Sequence, residues 1–140
     1  MTDLMPWEEC TSKFIRNVYP DPARINSILD LAKERWDFAR SISLTEKNVS
    51  FIFDEYYEVI KELLVALMLK RGMRSGNHQC LFAFFAKDFP NYESEVNTIS
   101  QMSFLRNRLE YYGERVDYTY FRENYKSFDE IVTLLFKLLK

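Results

Sequence analysis

Glycine is scarce in this chain, with 3 residues in 140, and proline supplies only 4. Globular chains average about 7% glycine, so folds built on many tight turns, hairpins or phosphate-cradling loops are disfavoured, and helices are the natural reading. Histidine occurs once and cysteine twice. A zinc site needs three or four suitable ligands, and His78, Cys80 and the distant Cys10 form no spaced cluster. Long apolar runs are missing too. The apolar stretches Leu63–Leu69 and Gln79–Ala86 carry no charge and are seven and eight residues long. Both fall far below the length of a membrane span, which takes about 18 residues or more. Neither sign of charge dominates, since 19 Lys plus Arg oppose 21 Asp plus Glu. A net charge of −2 gathers no nucleic acid by itself, so any such contact has to come from a local cluster.

Aromatic residues are plentiful instead: 12 Phe, 9 Tyr and 2 Trp. A chain of this length suits one domain that buries roughly 70% of its unfolded surface, and these rings supply the apolar area. The expected domain is 1–140, with its core at about 21–140 and a short N-terminal extension over 1–20. Two isolated cysteines and a charged N-terminus without a signal-peptide core point to a reducing cytoplasm.

Periodicity predicts the elements. Asp21 and Pro22 signal a helix start, and Ile25, Ile28, Leu29, Ala32, Trp36 and Ala39 give Ala23–Ser43 a continuous apolar face. Trp7–Val18 adds a short helix before it. Glu46–Arg71 repeats the pattern and stops at Gly72. Arg71–His78 connects it to a short apolar helix, Gln79–Phe89, which Pro90 ends. Tyr92–Tyr112 closes at Gly113. Asp117–Lys126 reads as a polar, Tyr-rich connection, after which Ser127 and Glu130 form a capping box for the last helix. The expected architecture is an all-α, single antiparallel helical bundle of four to five main helices. Trp36, Phe53, Ile60, Leu64, Leu67, Phe82, Phe85, Leu105, Leu109, Leu134 and Leu135 are its expected core.

Several chemistries find no motif. Gly-x-Ser-x-Gly, Gly-x4-Gly-Lys and Gly-x-Gly-x-x-Gly are all absent from the sequence. Asp54, Glu55, Glu58 and Glu62 share helical spacing and could hold Mg²⁺ through water, but a solvated face paired with Lys61 is the stronger reading. His78 precedes the third helix, where it is expected to cap amides or to stand near solvent. Lys70, Arg71 and Arg74 complement a helix dipole. Phe82, Phe84, Phe85 and Phe89 read as core or subunit interface.

The most informative segment is Phe104-Leu-Arg-Asn-Arg-Leu-Glu-Tyr-Tyr-Gly-Glu-Arg-Val-Asp117. It resembles the signature region of the HEPN domain, the higher eukaryote and prokaryote nucleotide-binding family, and the order of elements from about Ala23 to Lys140 is similar as well. Catalytic members of that family carry Arg, a polar residue, and a His after four to six intervening residues. Here Arg106 and Asn107 match the first two, while Tyr111 stands where a four-residue spacing would put the histidine. Family members that act as metal-independent ribonucleases are thought to use that histidine as acid or base and the arginine to hold the scissile phosphate. A tyrosine of ordinary pKa near 10 is a poor base at pH 7, and losing the histidine should remove a factor of about 10² to 10⁴.

The resemblance therefore implies a homodimer that binds a nucleotide, RNA or partner through Arg106, Asn107 and Arg108 without cutting it. Its alternative is a weak metal-independent endoribonuclease using Arg106 with Tyr111, or with His78 brought in from another helix. The resemblance further implies a minimal nucleotidyltransferase as a partner protein, in a toxin–antitoxin or defence system. No cofactor, metal or membrane is expected.

Overall fold

A computed structural model describes residues 4–140. Among them, six helices and one two-stranded sheet follow one another in the order α1(Trp7–Lys13), β1(Ile15–Asn17), α2(Pro22–Ser41), α3(Val49–Lys70), β2(Met73–Ser75), α4(His78–Asp88), α5(Glu93–Tyr112) and α6(Tyr118–Leu138). The architecture is an all-α bundle.

Local chemistry sets most boundaries. The Asp21 carboxylate accepts from the amides of Ala23 and Arg24 at 3.1 and 3.2 Å. Pro22 sits in the first turn, where its missing N–H costs nothing. Asn77 caps α4 by accepting from the Cys80 amide at 3.2 Å. Gly113 takes the left-handed conformation (φ 64°) that ends α5. Just beyond it, the Glu114 amide donates back to the Arg108 carbonyl at 3.2 Å.

α3 is the axis of the fold. Residues such as Phe53, Ile60, Leu63 and Leu64 are fully buried, and α2, α4, α5 and α6 all pack around this helix. Every expected core residue lies in the apolar cluster, but Trp36, Leu105, Leu109 and Leu134 are only partly covered. Trp36 has a second role. Its indole N–H and the Tyr56 hydroxyl both donate to Asp129 Oδ1, each at 2.8 Å, so one carboxylate ties α2, α3 and α6 together.

Three expectations are corrected. The segment 118–126 is helical: α6 starts nine residues before Ser127, capped by Asp117, whose carboxylate accepts from the Tyr120 amide at 3.0 Å. Tyr118, Phe121, Tyr125 and Phe128 recur at spacings of three and four, and this aromatic stripe docks the first turns, with Phe121 and Phe128 buried. The N-terminal helix also ends earlier than expected, at Lys13, because the chain then runs extended and pairs Ile15 with Ser75, Arg16 with Arg74 and Asn17 with Met73, antiparallel. The Val18 amide extends the ladder by donating to the Gly72 carbonyl at 2.8 Å. Gly72 has φ 77°, and a Cβ there would stand 3.2 Å from the Val18 carbonyl oxygen. Both conformation and space therefore call for glycine. Finally, Cys10 and Cys80 are not isolated. They form a disulfide across a sequence separation of 70, fastening α1 to α4.

Candidate functional site

The helices bring three separated parts of the chain to Tyr57. α3 and α5 run antiparallel, so Asp54 and Tyr57 face Arg106 and Ser103 respectively. The turn through Gly72 and β2 sends the chain back, so that α4 begins beside the same ring. His78 Nδ1 lies 2.9 Å from the Tyr57 hydroxyl oxygen, and that hydroxyl donates to Ser103 Oγ at 3.3 Å. The Arg106 guanidinium stands 5.8 Å from the centre of the Tyr57 ring. That separation is within cation–π range.

Burial governs the protonation states. It raises the Tyr57 hydroxyl above its usual pKa of 10, so the phenol keeps its proton. His78 is pushed below its ordinary 6.5, first by burial and then by the positive charges of Lys61 and Arg106, which leaves a neutral imidazole at pH 7. A neutral imidazole has one donor and one acceptor nitrogen. With the phenol proton directed to Ser103, His78 donates from Nδ1 and Nε2 is an acceptor. With the phenol proton directed to His78, Nε2 carries the hydrogen instead. The direction of the phenol proton and the tautomer of His78 are therefore set together.

Arg106 does not pair with Glu110 one turn along its own helix. Its Nε lies 3.5 Å from Asp54 Oδ1, an electrostatic contact too long for a good hydrogen bond. Among the described residues, both of these buried atoms are left without a hydrogen-bond partner. Burial, followed by the charge of Glu110, raises the Asp54 pKa despite Arg106. The other carboxylates of α3 are engaged: Glu58 and Glu62 with Lys61 at 2.9 and 3.2 Å, and Glu55 with Arg35 at 3.1 Å. They form ion pairs rather than an open ligand set.

The remaining motif residues point elsewhere. Tyr111 is 74% exposed. At about 3.6 residues per turn it lies about 140° around α5 from Arg106, so the two cannot share a pocket within one protomer. Asn107 is exposed. Arg108 donates to the Glu114 carboxylate and covers the Tyr112 ring at 4.7 Å. His78 is thus the residue that joins Arg106, and Asn77, not His78, supplies the helix cap. Tyr57 and Ser103 carry no motif. The one available signal was the adjacent pair Tyr56-Tyr57 on the apolar stripe of α3, two rings whose buried hydroxyls must find partners.

No protein-family model matches this chain, and no curated protein or solved structure matches it either.

Proposed function

We propose that this protein is a HEPN-like homodimeric module that holds a phosphate-bearing ligand, a nucleotide or an RNA strand, at the Tyr57–His78–Arg106 cluster. One observation carries the reading: Arg106 and His78, 28 positions apart in sequence, both lie against one buried tyrosine. Arg106 retains an Nε–H without a hydrogen-bond acceptor among the described residues, and a guanidinium grips phosphate oxygens through its planar fork. Self-association is supported by exposed rings. Phe104 and Tyr111, seven residues apart on one side of α5, are 61% and 74% exposed, and Phe51 on the neighbouring helix is uncovered as well. A minimal nucleotidyltransferase as partner, a role in a toxin–antitoxin or defence system and a cytoplasmic location belong to the same reading.

The position of His78 favours a second reading, metal-independent RNA cleavage with Arg106 on the phosphate and His78 as the proton carrier in place of Tyr111. A single set of variants separates the two. Fluorescence anisotropy with a labelled short RNA should show Arg106→Gln weakening binding about 10- to 150-fold, the range for losing a charge-assisted hydrogen bond worth about 1.5 to 3 kcal/mol. His78→Gln should weaken binding far less than Arg106→Gln, since a neutral side chain replaces a neutral imidazole, and under the second reading it abolishes cleavage that the wild type performs without metal. Unchanged binding and sedimentation for Arg106→Gln would reduce Arg106 to a structural partner of Asp54.

A further inference from the structure

The β1–β2 clasp places like charges against each other. Arg16 and Arg74 are directly opposite in the antiparallel register. Facing residues in such a pair have Cα atoms about 4.5 to 5.5 Å apart, and like charges at that spacing destabilise a sheet. Both side chains are exposed, while Ile15 and Ser75, the next facing pair, turn inward. A strand pair of three residues each has little to spare for this repulsion.

The two arginines are not alone. Lys13, Arg24 and Glu62 line the same cavity, of about 850 Å³, between the clasp and helices α2 and α3. Lys13 already pairs with Glu9 at 3.6 Å and Glu62 with Lys61 at 3.2 Å. Among the described residues, Arg16, Arg24 and Arg74 have no ion-pair partner, which leaves three uncompensated guanidinium groups around one concavity in a chain of net charge −2. The cavity adjoins the Tyr57 cluster: Asn77 lines it and precedes His78, and Glu62 lines it and acts electrostatically on His78.

We infer that this clasp is a second anion-binding site, a track for the phosphate backbone of single-stranded nucleic acid running from the cavity toward His78 and Arg106. Only the direction of the track rests on the function proposed above; the site itself rests on the three arginines. A flexible chain of phosphates suits it better than an acidic peptide because guanidinium forks match phosphate oxygens and because the cavity opens beside a cluster that holds a further arginine. Contacts of this kind position a strand without reading its sequence.

The test uses the full chain and a labelled 20-nucleotide oligo(U), titrated from about 50 to 300 mM salt. For single strands the log–log slope is about −0.7 per neutralised phosphate, so Arg16→Gln/Arg74→Gln should flatten it by about 1.4. The same loss makes binding about 25-fold weaker at about 0.1 M salt. Arg16→Lys/Arg74→Lys, which keeps the charge, should retain most of the slope. Unchanged slope and affinity in the Gln variant, or tighter binding of poly-glutamate than of oligo(U), would overturn the inference. Failure of the Arg106 reading looks different: Arg106→Gln then has no effect while the Arg16/Arg74 effect persists.

Discussion

Opening the Cys10–Cys80 bond should lower stability more than any single surface change. The bond closes a loop across a separation of 70 residues. In the chain-entropy description, cross-linking a loop of that length removes about 4.4 kcal/mol worth of freedom from the unfolded ensemble at about 25 °C. A domain of this size shifts by about 2 to 4 °C per kcal/mol, so the thermal midpoint should fall by about 10 to 15 °C. Circular dichroism in the far ultraviolet with and without reductant measures it, and Cys10→Ala/Cys80→Ala repeats the comparison without redox chemistry. Since Cys10 is the only fully buried residue of α1, that helix should be freed first, leaving the α2–α6 core to melt afterwards. A midpoint that moves by less than about 3 °C in reductant would refute the reasoning, because the loop would then not be closed in solution. Trapping thiols in cells carries the result to localisation: alkylated Cys10 and Cys80 fit the proposed reducing cytoplasm, and a persistent bond argues for an oxidising compartment.

Two further outcomes follow from backbone and charge. Gly72→Ala should destabilise the fold by roughly 1 kcal/mol or somewhat more, the usual penalty for a side chain in the left-handed region. Gly76→Ala, with nothing within 4 Å of a new Cβ, should be nearly neutral, and chemical denaturation compares the two. His78 resists protonation in the fold, while the unfolded chain takes up a proton near pH 6.5, so its contribution to stability is present above that pH and lost as the pH falls below it. His78→Gln should flatten the stability profile in that window.

Much of the bundle was legible because its helices announce themselves locally. Asp21-Pro22, Gly72 and Gly113 mark ends through backbone chemistry that needs no distant partner, and the apolar stripe of α3 reads directly. The first half of α6 was not legible, since its buried face is made of Tyr118, Phe121, Tyr125 and Phe128 among polar neighbours, which resembles a loop until the rings are counted as apolar surface. The strand pair and the disulfide join positions dozens of residues apart, and neither three-residue strands nor two cysteines have a periodicity to detect. At the candidate site the sequence identified Arg106 and left its partner open between Tyr111 on the same helix and His78 from another, because spacing alone does not choose between them. The partner sits on α4 because packing, not spacing, decides which side chains meet across helices.

The two tryptophans divide the molecule optically. Trp7 belongs to α1, packed 6.4 Å from Phe84 with Lys87 over its ring, whereas Trp36 is held by Asp129 under the Arg40 guanidinium, 3.8 Å above it. One indole therefore watches the disulfide-fastened end and the other the junction of α2, α3 and α6. Their emission changes coincide if the chain unfolds as one unit and separate if α1 leaves first, so single-tryptophan versions of this protein distinguish cooperative from stepwise unfolding without an added label.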